Sequence, residues 1–403
     1  MRIAVFHNVP SGGAKRALLE WVRRLSLEHA IDVYSLSTAD HDYCDLRPYV
    51  AEYHIVDFTP LPLFRSPFGR LNQFQRWHDL ARLQTVYQKL ASQIDAGGYD
   101  VVFSNVCMFT FIPILQIYLH TPTLYYLHEH FANRVHRVME RPYLKQTPAR
   151  QALDRIDPLI ALYFGRLADL QRAAVKKTNR LIANSQFTQH QFETDLGVQA
   201  PVVLYGVNST DFHPLPVEKQ PGHVLSVGEL SPRKGFDFLV ESLALIPADR
   251  RPVLRLACNN QIPEERVFIE NLAAKRGVVL EILTNLNSQQ LALEYNLAQL
   301  CVYSPVQEPF GLVPLEAMAC GTPVLGVSEG GVRESVLDGV TGRLTSRDPG
   351  LFAAALVELL DHPQELRRLG ENGLTFVREI WTWEGSTGEL ERHLLAVAGN
   401  QAI

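Results

Sequence analysis

The chain has 403 residues, 46% hydrophobic and 20% charged, which describes a folded protein rather than a disordered one. That length exceeds what a single core ordinarily supports and predicts two domains. A formal net charge of −5 provides no basic field for nucleic acid, and five scattered cysteines with no CxxC pair exclude a disulfide framework or a zinc site.

Met1 leads directly into Arg2–Phe6, read as a strand, so no signal peptide is expected. With reduced thiols, that points to the cytoplasm. The loop His7–Ala14 carries Gly12 and Gly13, which let backbone approach a ligand without Cβ interference. It lacks the glycine-lysine of a P-loop, so a nucleoside triphosphate is not its ligand. Ala14–Leu27 follows as an amphipathic helix with Leu18, Trp21, Val22 and Leu25 on one face. Ile31–Leu36 is the next strand. Asp40-His41-Asp42 resembles a metal-binding DxD, but such loops are common and no metal is expected there.

From Leu61 to Trp77, Phe64, Phe68, Phe74 and Trp77 interleave with Arg65, Arg70 and Arg76. Two readings stay open: a surface touching lipid headgroups or a lipid-linked acceptor, or a helix with a buried apolar face and solvated arginines. Val101–Leu119 is too interrupted to span a membrane and reads as a buried strand followed by a buried helix. Thr123–Leu127 is a strand leading to His128-Glu129-His130. Between Arg134 and Arg180 the basic residues, Arg141 among them, outnumber the acids; they solvate helix faces or meet phosphate or anionic lipid. Arg180–Ala183 is a strand leading to Asn184 and Ser185. This β-α-β rhythm implies a parallel sheet covered by helices.

Proline, Asn208 and Asp211 punctuate 205–220, where the interdomain linker is expected. The rhythm then restarts with strands at Val224–Val227, Val253–Ala257, Val278–Leu283, Leu300–Val302 and Pro323–Gly326. The first of these opens onto Gly228-Glu229-Leu230-Ser231-Pro232-Arg233-Lys234-Gly235, a loop with two adjacent cations. Later, Glu308-Pro309-Phe310-Gly311-Leu312-Val313-Pro314-Leu315-Glu316 sets two carboxylates eight residues apart. Phe310, Gly311 and Leu312 lie where a helix begins, so unpaired amides and the positive end of the helix dipole are available to an anion. Carboxylate, amide row and second carboxylate suit the hydroxyls, pyrophosphate and ribose of a nucleotide-sugar.

The segment Ser304–Thr345, with Gly330-Gly331-Val332-Arg333-Glu334 and Asp338-Gly339-Val340-Thr341-Gly342, closely resembles the signature of retaining glycosyltransferase family 4. The resemblance implies an α/β protein of the GT-B fold: two Rossmann-like domains facing each other across a cleft. It implies an acceptor domain over residues 1–212, a nucleotide-sugar domain over 213–383, and a terminal helix, about 384–403, packing back onto the first. Lys234 would contact the pyrophosphate, Glu308 the sugar's 3- and 4-hydroxyls, Glu316 the ribose, and His128 the transferring sugar. Gly12, Gly13 and Gly228 would lie near the donor phosphate, and Asn184 and Ser185 near the cleft. Neither glutamate would be a nucleophile, and neither metal nor other cofactor would be needed.

One position departs from the pattern. The family usually has arginine after the first glycine of the cationic loop, and here it is Glu229. Arg233 is then expected to supply the missing charge. The expected activity is transfer of a hexose from a UDP- or GDP-sugar to a glycan or lipid-linked acceptor, with peripheral contact to an anionic membrane. The alternative is a non-catalytic homologue that only binds the sugar-nucleotide.

Overall fold

A computed structural model of the chain describes residues 1–64, 71–128, 141–144 and 158–399. His130, most of the basic run and Arg65–Arg70 lie outside the described residues. The first sheet comprises β1 (Arg2–Asn8), β2 (Ala30–Leu36), β3 (Glu52–Val56), β4 (Val101–Cys107), β5 (Thr123–Leu127) and β6 (Arg180–Ala183). All pairings are parallel, in the order β3-β2-β1-β4-β5-β6. Helices α1 (Gly13–Leu25), α2 (Asn72–Ala96), α3 (Pro158–Lys177) and α4 (Gln186–Leu196) accompany it.

The second sheet comprises β7 (Gln220–Val227), β8 (Val253–Ala257), β9 (Leu280–Leu283), β10 (Ala298–Tyr303), β11 (Val324–Val327) and β12 (Gly342–Thr345). Its order, β12-β11-β10-β7-β8-β9, is again fully parallel. Counted from its own first strand, each sheet runs 3-2-1-4-5-6, the doubly wound Rossmann arrangement. Helices α5 (Phe236–Ala244), α6 (Pro263–Arg276), α7 (Ser288–Leu297), α8 (Leu312–Ala319), α9 (Val332–Ser335), α10 (Pro349–Asp361), α11 (Pro363–Ile380) and α12 (Trp383–Ala398) complete the chain.

Ile3, Ala4, Val5 and Phe6 are all buried because helices cover both faces of the sheet. Alternate residues go to opposite sides. Ile3 and Val5 pack with Trp21 of α1 and Leu390 of α12, while Ala4 and Phe6 pack with α2 and α3. The Trp21 indole donates to Ser386 Oγ at 3.0 Å and meets Trp383 edge-on. Residues 197–219 carry the chain from one sheet to the other, and Trp381–Trp383 bring it back. The two crossings are joined where Val207 N donates to Trp381 O at 2.9 Å.

Three local expectations change. The buried helix after β4 is a single 3₁₀ turn, Ile114–Ile117, because Pro113 lacks an N–H and restricts its predecessor. The edge strands β3 and β12 were not foreseen, since half-exposed edges leave no continuous apolar run. Phe74 and Trp77 of α2 are 56% and 45% exposed, so the apolar face there is not a buried one.

Candidate active site

In open α/β sheets, ligands sit beyond the carboxyl ends of the strands where the strand order reverses. Here those points lie between β1 and β4 and between β7 and β10, and they face each other. Between them is a cavity of about 540 Å³. The first half lines it with Ser11–Ala14, Arg16, Tyr43, His128, Asn184 and Tyr205; the second with Gly228, Glu229, Arg233, Lys234, Glu308–Val313 and Glu316.

The turn from β10 into α8 is shaped by glycine. Gly311 caps α8 at φ +97°, with no side chain on the first-turn amides. Leu315, Ala317 and Met318 are buried in the domain, so the helix presents its amino end to the cavity. Gly330, at φ +64°, lies under the same turn; a Cβ there would come within 2.3 Å of Glu308 O. Gly331 N donates to that carbonyl at 2.9 Å.

Lys234 Nζ lies 2.8 Å from Glu308 Oε2. Burial pushes the Glu308 carboxyl up, but Lys234, and then Arg233, outweigh it and hold the carboxyl below its ordinary value. Glu316 is buried and engaged across the cleft. Arg16 pairs with its Oε1, and Tyr295 donates to Oε2 at 3.0 Å. A carboxylate has about four lone-pair sites, so each oxygen retains capacity for a ligand hydroxyl. Glu229 is exposed on the cavity wall, and its carboxylate has no hydrogen-bond or ion-pair partner among the described residues.

His128 is buried, with Nε2 at 3.0 Å from Asn105 Oδ1 and Nδ1 at 2.6 Å from the Tyr205 hydroxyl. Burial lowers its pKa to about 3, so it is neutral near pH 7. Nε2–H donating to Asn105 while Nδ1 accepts from Tyr205 satisfies both nitrogens. Asn184 Nδ2 donates to His128 O at 2.9 Å, and Tyr205 meets Phe310 edge-on at 4.5 Å. The histidine is thus held by an aromatic and amide shell that reaches the second domain.

Every residue expected from sequence at the site lines this cavity except Ser185. Ser185 is buried, caps α4 by accepting from Thr188 N, and donates to Pro309 O at 2.6 Å. It ties the two domains together. Sequence reasoning missed Arg16, Tyr43, Asn259 and Asn260 on the wall. It also assigned no role to Glu334, which accepts from the Gln186 and Phe187 amides at 2.8 Å and so caps α4 from the other domain. Arg16 follows the paired glycines closely and could have been suspected; the others have no local signal.

Asp40 accepts from the Asp42 and Tyr43 amides, and Asp42 pairs with Arg47. No group of three or more His, Cys, Asp or Glu among the described residues could hold a metal.

Behind the glycine loop, the Lys15 ammonium is fully buried at 3.3 Å from His7 Nε2. Burial lowers its pKa from 10.5 to about 8. The unfolded chain therefore binds more protons between those values, and stability rises with pH across that window. Below about pH 8 the full penalty applies. Lys15→Met should stabilise the protein by about 3 kcal/mol at pH 7, and urea titrations at pH 7 and 10 should show the advantage shrinking at the higher pH.

Two family models match the chain: Glycosyltransferase Family 4 over residues 11–209 and Glycosyl transferases group 1 over 208–376. The chain is a GT-B glycosyltransferase, related to group 1 and family 4. Among curated relatives of this glycosyltransferase, the D-inositol 3-phosphate glycosyltransferase of Geodermatophilus obscurus is 28% identical over 97% of the chain and 86% of its own length. The MMP alpha-(1->4)-mannosyltransferase of Mycolicibacterium hassiacum is 28% identical over 72% of the chain and 68% of its own. The same fold occurs in sucrose-phosphate synthase from Thermosynechococcus elongatus, with a TM-score of 0.74, 22% identity, and 98% and 99% of the two chains covered. It also occurs in Anabaena HepE, solved with UDP and glucose, at a TM-score of 0.69 and 18% identity over 98% and 100%.

Proposed function

We propose that the enzyme transfers a hexose, with retention at the anomeric carbon, from a UDP- or GDP-sugar to a glycan or lipid-linked acceptor. The observation that carries this is the convergence of Lys234, Glu308, the open α8 amides and Glu316 on one cavity. A lysine ammonium has three donors, so Lys234 can hold Glu308 and still reach a phosphate oxygen. Negative charge builds on the departing pyrophosphate, and fixed cations and amides stabilise it most in the transition state. Glu308 would grip sugar hydroxyls and Glu316 the ribose, while neutral His128 would border the sugar. The departing phosphate would take the acceptor's proton on the same face, so neither a metal nor a covalent glycosyl–Glu308 intermediate is required.

The five cysteines are free and four of them buried, which supports a reducing compartment. No helix among the described residues is long and apolar enough to cross a membrane. Contact with an anionic membrane would be peripheral.

A thermal-shift screen against UDP, GDP, ADP, dTDP and their sugar conjugates, with and without EDTA, tests the reading. A ligand at one hundred times its dissociation constant stabilises the native state by about 2.7 kcal/mol. A shift with one base, unchanged by EDTA, names the donor, and the anomeric proton of the product reports retention. No shift with any of them would overturn the reading, whereas a shift without donor hydrolysis or transfer by the purified protein would leave the non-catalytic alternative.

A further inference from the structure

A second cavity, of about 410 Å³, lies in the first domain between α2, α3 and the end of β4. Its walls are largely apolar, with Phe58, Leu80, Leu83, Phe109, Phe164 and Leu167 among them. That volume suits a ligand, since small-molecule sites run from about 300 to 1,000 Å³. Two buried wall residues each carry an atom with no hydrogen-bond partner among the described residues, Thr110 Oγ1 and Gln171 Oε1, although Gln171 Nε2 donates to Thr110 O at 2.6 Å. Orphaned buried polar atoms are costly and call for an occupant that brings hydroxyl or water partners. The apolar surface continues outward, with Leu63 53% exposed and Phe74 and Trp77 exposed on either side of Arg76. Among the described residues Arg76 lines the cavity without an ion-pair partner, and the nearby Asp79 pairs with Arg82 at 2.8 Å and accepts from Leu61 N at 2.9 Å. An apolar chamber, two unsatisfied polar atoms and an unpaired cation at its edge fit an anionic amphiphile.

We propose that this cavity holds the hydrocarbon chain of a phosphate-headed lipid acceptor, with Arg76 meeting the head and water admitted beside it partnering Thr110 and Gln171. This rests on the transferase reading and narrows the acceptor to a lipid phosphate. Dodecyl phosphate, titrated calorimetrically below its micelle concentration, should bind saturably at one site and persist under excess nucleoside diphosphate. Butyl phosphate should not bind, and dodecyltrimethylammonium should bind at least tenfold more weakly. Arg76→Glu, an exposed change, should weaken dodecyl phosphate at least tenfold while leaving the nucleotide thermal shift intact. Leu167→Trp should fill the chamber and abolish binding; if it does not fold, the Arg76 variant and the chain-length pair still decide. Equal binding of butyl and dodecyl phosphate, displacement by nucleotide, or indifference to Arg76→Glu would each overturn the proposal. Loss of the nucleotide shift with dodecyl phosphate binding retained would instead sink the donor reading alone.

Discussion

Lys234→Ala is expected to lower turnover by about 10²–10³-fold, the loss seen when one preorganised donor to a developing anion is removed. The effect should fall on kcat more than on KM, because the leaving pyrophosphate carries most of its new charge in the transition state. A second readout follows from the 2.8 Å contact with Glu308. Burial raises that carboxyl and Lys234 is the main influence opposing it. Without the lysine the pKa of Glu308 should rise, shifting the acid limb of the pH–rate profile upward. Near-normal kcat with an unmoved limb would remove Lys234 from the mechanism.

The largest expected loss of stability comes from a residue outside the cleft. Arg141, 4% exposed, reaches from the first domain to the second. It donates to Glu265 at 2.8 Å and to Asp237 at 3.0 Å, and stacks over Phe268 at 4.9 Å. Glu265 has no exposed surface, and Tyr143 donates to it at 2.5 Å. Removing one partner of a buried pair leaves an uncompensated charge, which costs about 3–5 kcal/mol. Arg141→Met should therefore lower the urea midpoint sharply, and Glu265→Leu added to it should restore most of the loss. If the double variant were no more stable than the single one, the cost would lie in lost packing rather than a stranded carboxylate. From sequence, Arg141 was one cation of a basic run, solvated or facing phosphate. The structure gives it neither role, since its acidic partners arrive 96 and 124 residues later.

What the sequence by itself determined is what a short stretch of chain can encode. Apolar runs such as Ile3–Phe6 and Val224–Val227 name the strands, and their alternation with helical patterns implies two parallel sheets. The glycines, amide-bearing helix start and spaced carboxylates of Glu308–Glu316 announce the proposed donor site, because turn, cap and helix all lie within nine consecutive residues. Only the tertiary structure decided how these pieces meet. Arg16 and Glu316 pair from 300 residues apart, Ser185 turns to Pro309 instead of the cleft, and Glu334 caps a helix in the other domain. The second cavity draws its walls from segments spread over more than one hundred residues. Such contacts depend on the packing of one sheet against another, which leaves no periodicity or spacing along the chain.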